Sequence, residues 1–506
     1  MRNAREGRVM WEAVAVCGLL TVLAASAAAW FFKKGYLLYY GDAQAHLDIS
    51  RSLLDSRTPT YDQIGTVWLP LLHIICLPFV GNMWLWHTGL AATIPVASCF
   101  VISGLFFYLA AREAYANALA PAVAVACFAL NPNILYLASI SMTEAVFLAG
   151  LAALVFALLR FRRTQESGLL ALGLVASWWM SLIRYDGWFL IPFAAAGFAF
   201  FAKQRRWTIF VAFSALASLA PLYWMASNYW ETNDALDFYR GPHAPIAIQG
   251  GKLYEGYRDW KLAFEYYLTA AWWCTGWTLM ITGVIGAACA IWKRCATVLV
   301  FLVLTPLFYV WSMHSSGGTP IHVPNLPPFS YYNTRYGIAV LPLCAVAAGA
   351  ITIALPVRWR RWTILLPVLC LLGWVITPRD GWICWKESEQ NSIARRAWTQ
   401  QGAEFLERNY RAGEGVLASF GDVTGIFCAA RIPLRETLHE GNGPAWLATV
   451  SMPHLVHTET WAIAIKGSET FNSLSVRGSV YQVVRVIRVA GAPDLLIYKR
   501  ELAGGP

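Results

Sequence analysis

Apolar windows of about twenty residues recur along the chain, separated by short polar or basic connections. A run of that length that is apolar on every side matches what an α-helix needs to cross a hydrocarbon core, whereas a helix of a soluble domain keeps a polar face. Windows and breakers together place crossings near 9–32, 85–111, 116–130, 138–159, 168–183, 188–201, 207–225, 268–292, 296–311, 338–355 and 362–376, about eleven in all. The apolar piece 67–80 carries Pro70 and Pro78 and reads as an interfacial or re-entrant segment. The first window follows the basic MRNAREGR and is too long for a signal-peptide core, so it is expected to be a retained helix.

After position 376 the pattern changes. Charges return, and the apolar runs shrink to strand length: VLASF after Gly415, WAIAIK from Trp461, YQVVRVIRV from Tyr481 and DLLIYK from Asp494. RRAWTQQGAEFLERNY has the spacing of an amphipathic helix. The expected fold class is therefore an α-helical polytopic membrane protein over 1–377, with a C-terminal soluble α/β or α+β domain over 378–506.

Charge gives an orientation. If the N-terminus is cytoplasmic, the inner connections are MRNAREGR, Arg112 with Glu113, RFRR at 160–163, KQRR at 203–206, Lys293 with Arg294, and RWRR at 358–361. Each is basic, as the positive-inside rule asks, although Lys33, Lys34, Arg51 and Arg57 fall outside and run against it. This sorting accounts for most of the formal net charge of +10, so no nucleic-acid partner is needed to explain it. A mean hydropathy of +0.47, with 58% hydrophobic and 13% charged residues, excludes a water-soluble enzyme. No disulfide framework or zinc spacing appears among the 11 cysteines; Cys384 and Cys428, both in the tail, are one candidate pair in an oxidising compartment.

Under that topology the connections 33–84, 227–267 and 314–336 and the tail share the non-cytoplasmic face, and most remaining acids and histidines gather there. The stretch YYGDAQAHLDISRSLLDSRTP holds Asp42, His46, Asp48, Arg51, Asp55 and Arg57. On a helix starting at Asp42, His46 shares its face at i+4, so a carboxylate and an imidazole would aim at one place. The alternative is an amphipathic interfacial helix with solvated acids. Glu144 in SISMTEAV is expected one turn inside its helix, and Asp186 in LIRYDGW at a tight outer turn. Ionisable groups at membrane depth need a partner or a water-filled cavity, and for Asp186 a structural ion pair with Arg184 competes with a functional role.

The stretches GDAQAHL, TVWLPLLH, LNPNILYLASISMTEA, LIRYDGW and YYNTRYGIAVLP resemble membrane glycosyltransferases of the GT-C superfamily. Within it, the branch containing protein O-mannosyltransferases and the lipid A aminoarabinose transferase is most similar, and the likeness covers roughly 9–376. The resemblance implies many transmembrane helices, interfacial helices and a catalytic Asp in the first outer loop, an outer C-terminal domain, and transfer of a sugar from a polyprenyl-phosphate carrier without a required cofactor. By position Asp42 matches the first-loop acid, and either Glu144 or Asp186 lies near the second acidic position. The chain departs from the branch at WLPLLH, 68–73, where an HPPL or KPPL type motif is usual, which leaves the acceptor open among lipid, glycan and protein.

The chemistry asks for such groups independently. Displacing a phosphate from an anomeric carbon needs a base for the attacking hydroxyl, for which Asp42 is the candidate, with Glu144 and Asp186 next. A guanidinium offers paired, charge-assisted donors to the departing phosphate, a role for Arg335 and Arg184 with Tyr332. His46 and His73 are candidates for orienting the acid or contacting the acceptor. The spacing of Asp42, His46 and Asp48 is no recognised metal signature, so no metal ligands are assigned, and a divalent ion held by them is the lesser alternative. A polytopic transporter would need a repeat and charges at the bilayer midplane, neither legible here. A non-catalytic cell-envelope assembly protein would have little use for acids at cavity-facing helix ends.

Overall fold

The computed structural model describes residues 2–115, 117–376, 382–452, 459–475 and 480–500. Among the described residues seven helices are long and apolar enough to cross a membrane: Val9–Lys33, Leu90–Ala114, Glu144–Thr164, Arg206–Thr232, Thr297–Ser315, Thr334–Ala354 and Val357–Ile376. The pair Trp260–Thr275 and Trp277–Trp292 makes an eighth if counted as one span, although the two are bent by 105°. The protein is thus an integral, multi-pass membrane protein. Three of the expected crossings correspond to shorter apolar helices, Leu119–Ala129, Ser167–Ser181 and Asp186–Phe201.

Three breaks correct the expected boundaries. The window 268–292 is not one straight helix, because Gly276 sits between its halves at φ +84°, a conformation that a residue with a Cβ adopts only at a cost. The window 85–111 divides at Gly89, φ +83°, into Met83–Thr88 and Leu90–Ala114. The window 138–159 begins too early, because its span starts only at Glu144. A short helix Pro132–Leu137 is capped by Asn131, whose side chain accepts from the backbone N–H groups of Asn133 and Ile134, and the next helix starts at Glu144. Glu144 therefore stands at a helix N-terminus and not one turn inside it.

The chain forms two compact units. One comprises Met1–Lys34, Thr66–Leu71 and Ile94–Glu387, and the other Gly35–Gly65, Leu72–Thr93 and Ser388–Pro506. In the first, helix packing uses small residues as membrane interiors require. Gly283 and Gly286 of the Trp277–Trp292 helix lie so close to Cys344 and Ala347 that a Cβ on either has no room. The Glu144–Thr164 helix is buried over most of its circumference, which is the environment of a central span.

The second unit carries a five-stranded mixed sheet. Its strands are β1 Val416–Ala418, β2 Thr437–Leu438, β3 Trp461–Ile465, β4 Tyr481–Ile487 and β5 Leu495–Arg500, in the order β2-β1-β3-β5-β4. β1 runs parallel to β2 and β3, and β5 pairs antiparallel with β3 and β4. The inner strands β1 and β3 are almost wholly buried, as strands covered on both faces should be. Their core includes Leu417, Leu438, Trp446, Ala462 and Tyr498. The helix expected from RRAWTQQGAEFLERNY is longer than its motif and runs over Ile383–Asn409. The expected domain boundary at 377/378 lies outside the described residues.

The cysteine expectation is corrected. All 11 cysteines are free, and Cys384 Sγ stands 3.7 Å from Cys274 Sγ instead of bonding Cys428. Cys428 directs its thiol toward the carbonyl of Trp86 at 3.8 Å.

Candidate functional site

In the first unit, a cluster of charged side chains forms where three connections meet. Arg184 lies in the turn between Ser167–Ser181 and Asp186–Phe201, and Asp186 opens the second of these helices as Glu144 opens its own. Both carboxylates stand at the positive end of a helix dipole, a favourable place for negative charge. Arg184 reaches them both. Its Nε is 3.2 Å from Asp186 Oδ1, its Nη1 donates to Glu144 Oε1 at 3.2 Å and to Thr143 Oγ1 at 2.6 Å, and its Nη2 donates to Tyr309 at 2.6 Å. The Tyr309 hydroxyl in turn donates to Asp186 Oδ2 at 2.9 Å.

Arg335 completes the cluster. Its Nε is 3.3 Å from Glu144 Oε1, so one carboxylate oxygen lies between two guanidiniums, and its Nη1 is 3.5 Å from Glu387 Oε1. Glu387 also accepts from the backbone N–H groups of Asn333 at 3.0 Å and Thr334 at 2.8 Å, and from the Thr334 hydroxyl. Aromatic rings wall the cluster: Tyr309 stacks on Tyr336 at 4.9 Å and on Tyr267 at 5.9 Å, and both guanidiniums lie over the Tyr336 ring. Three carboxylates thus face two guanidiniums in a buried setting. Each charge is held by others, which is what makes it tolerable there. Glu144 Oε2 is the exception, a buried oxygen with no hydrogen-bond partner among the described residues, beside a small cavity lined by Glu144, Arg184, Asp186, Thr305 and Tyr309.

The structure therefore brings Glu144, Asp186, Arg184 and Arg335 together. Tyr332 stands elsewhere in this unit: its backbone pairs with His322, and its hydroxyl accepts from Gln249 Nε2 at 3.3 Å. Tyr309 and Glu387 were missed in the sequence. Tyr309 is one aromatic among many in an apolar helix, and Glu387 lies in a stretch whose only visible signal was returning charge.

In the second unit the charged stretch after Tyr39 forms the helix Gly41–Ser52, with Asp42 half-buried in its first turn. One turn on, His46 is buried and its Nδ1 stands 3.0 Å from His73 Nε2, on the helix Leu71–Val80. Burial, together with the neighbouring His46, pushes His73 well down, so the ring is neutral. Asp48 accepts from Gln44 Nε2 through both oxygens and from Trp86 Nε1 at 2.9 Å. Its burial raises its pKa to about 6, against the opposing pull of those hydrogen bonds.

The rest of this stretch fastens the unit. Arg51 is 2.6 Å from Asp55 and donates to the carbonyls of Val80 and Gly81, which end the Leu71–Val80 helix. Asp55 is also held by Arg435 at 2.8 Å, and Arg57 is 2.6 Å from the buried Glu459. The alternative of a helix with solvated acids is thereby corrected: Asp48 and Asp55 are buried and bonded. Among the described residues no three His, Cys, Asp or Glu side chains converge in a metal-holding group.

No protein-family model matches the sequence, and no curated protein sequence matches it. Solved structures do. Over 97% of this chain and 99% of the other, it superposes with a TM-score of 0.57 and 12% identity on ArnT from Cupriavidus metallidurans bound to undecaprenyl phosphate. The chain shares the fold of ArnT. The apo state of the same ArnT matches over 96% and 98% with a TM-score of 0.53, also at 12% identity. The oligosaccharyltransferase of Archaeoglobus fulgidus matches at 0.47 and 10% identity, over 90% of this chain and 69% of that one. The fold agrees with the resemblance carried by the sequence motifs.

Proposed function

We propose that this protein is a membrane glycosyltransferase that moves a sugar from a polyprenyl-phosphate donor to a lipid, glycan or protein acceptor at the non-cytoplasmic face of a cytoplasmic-type membrane. The observation that carries the reading is the whole-chain likeness to ArnT, a protein solved with undecaprenyl phosphate bound. In this reading the acceptor hydroxyl attacks the anomeric carbon, the bond from that carbon to the donor phosphate oxygen breaks, and Asp42 takes the hydroxyl proton. The polyprenyl phosphate leaves with the bonding electron pair. The configuration at the anomeric carbon inverts.

Arg335 and Arg184 hold the phosphate in this reading, without Tyr332, whose hydroxyl is turned to Gln249. The carboxylates of Glu144, Asp186 and Glu387 orient the guanidiniums, as a supporting shell does for groups that must meet a substrate at fixed angles. The unpartnered Glu144 Oε2 supports a working role over a purely structural one, because a buried polar atom left without a bond costs about 1–3 kcal/mol and needs a reason. Asp186 is the second candidate acid, and His46 with His73 orients Asp42 or meets the acceptor. The reading calls for no cofactor, and it places the C-terminal domain outside the cytoplasm.

The test is a panel of radiolabelled polyprenyl-phosphate sugars offered to the purified full chain in detergent with lipid, glycan and peptide acceptors. Release or transfer of one sugar supports the reading and identifies the donor. Transfer from none of them contradicts it.

A further inference from the structure

At the other end of the helix Ser167–Ser181 from Arg184, a groove of about 700 Å³ opens between that helix and Arg206–Ala217, closed at one end by Gln165 and the connection 203–205. Its walls are apolar, with Leu170 and Leu174 on one side and Ile209 and Leu216 on the other; its end carries Lys203 and Arg205, both exposed. Among the described residues no carboxylate lines it. The end is braced. Gln165 Nε2 donates to the carbonyls of Phe161 at 2.9 Å and Phe201 at 3.0 Å, while its Oε1 accepts from the backbone N–H of Lys203 at 3.0 Å. Gln165 and Arg205 both hold left-handed backbone, φ 60° and 52°, a conformation uncommon outside glycine that persists where surrounding structure enforces it.

We propose that this groove binds one phospholipid with an anionic headgroup: the headgroup phosphate meets Lys203 and Arg205, and an acyl chain lies along Leu170, Leu174, Ile209 and Leu216. Three observations carry the assignment. The volume falls within the roughly 300–1,000 Å³ of sites that bury a small ligand. The wall belongs to the span Arg206–Thr232, whose apolar window is only 22% buried, as for a span that faces hydrocarbon. The charge lies at the end of the span, as headgroup depth requires, on a connection that the basic pattern KQRR assigns to the cytoplasmic side, where anionic lipids attract such clusters. A soluble phosphate compound would leave the apolar walls unused, which favours the lipid. The inference does not depend on the proposed transferase activity.

The experiment is native mass spectrometry of the full chain in detergent with palmitoyl-oleoyl phosphatidylglycerol or the corresponding phosphatidylcholine. Wild type is expected to retain one phosphatidylglycerol in preference to phosphatidylcholine. The double variant Lys203→Ala with Arg205→Ala is expected to lose that preference by roughly tenfold, and Lys203→Arg with Arg205→Lys to keep it. Ala212→Trp, which fills the slot from an exposed position on its wall, is expected to reduce retention of both lipids. Melting temperatures of the variants establish that they are folded. The proposal is overturned if the double alanine variant keeps the preference, if Ala212→Trp retains lipid as wild type does, or if glycerol phosphate without acyl chains competes as well as the lipid.

Discussion

Tyr309 donates its hydroxyl to Asp186 at 2.9 Å across 123 positions of sequence, while the same oxygen accepts from Arg184 at 2.6 Å. One phenol thus bridges both members of a buried ion pair. Removing it leaves a buried nitrogen and a buried carboxylate oxygen each short of a bond, at about 1–3 kcal/mol. Tyr309→Phe keeps the ring stacks and should lower the melting temperature in detergent by several degrees. An unchanged melting temperature would show that the hydroxyl bridge contributes nothing.

Breaking the ion pair itself should cost more. Arg184→Ala leaves Asp186 and Glu144 buried with their shared cation gone, a loss of roughly 3–5 kcal/mol. The paired variant Arg184→Met with Asp186→Leu leaves fewer charges stranded and should be less destabilised than Arg184→Ala alone. Denaturant or thermal unfolding of the three proteins orders them, and the reverse order would contradict the picture of a mutually neutralised cluster.

Asp48 gives the second unit a defined pH response. Its pKa is raised from 3.8 to about 6 by burial, so the folded state binds its proton more tightly than the unfolded chain does. Stability from this group is fully present below the unfolded value near 3.8 and is lost as pH rises through about 6, at about 1.4 kcal/mol for each pH unit between them. Asp48→Asn, which has no proton to lose, should flatten stability across that window. A slope equal to that of wild type would assign the response to another group.

Gly276 is predicted to be irreplaceable by alanine. Its φ of +84° costs a residue with a Cβ roughly 1–2 kcal/mol, and a Cβ there would stand 2.7 Å from the Trp374 ring. Gly276→Ala should therefore lower thermal stability, whereas Gly168→Ala, whose Cβ would meet open space, should not. Equal melting temperatures for the two variants would refute the argument.

How much of this was legible in the sequence depended on whether the deciding interaction was local. Apolar runs revealed the membrane helices because hydrocarbon length acts on each run separately, whereas the breaks at Gly89 and Gly276 fell inside runs read as continuous, since an apolar run looks the same whether straight or bent. The break before Glu144 was harder: Ser139 to Thr143 contain no glycine or proline, and the preceding helix, started by its cap Asn131, ends at Leu137 without either residue to mark it. β2, with two residues, is too short for any periodicity. Arg184 next to Asp186 was readable as a pair from adjacency, but Tyr309 and Glu387 join the cluster only through tertiary packing. In the stretch after Tyr39 the concentration of charge was plain. That Arg51, Asp55 and Arg57 fasten Val80, Arg435 and Glu459 was not, since Arg435 lies 380 positions from Asp55 and Glu459 lies farther still from Arg57.

The central claim is that Asp42 is the base of a sugar transfer from a polyprenyl phosphate. It is tested most directly by comparing wild type with Asp42→Asn in one detergent, with the donor that wild type uses and with both proteins shown to be folded. The account predicts a fall in transfer of roughly 10²–10⁴-fold, the worth of a positioned general base. Transfer by Asp42→Asn at the wild-type rate would contradict it.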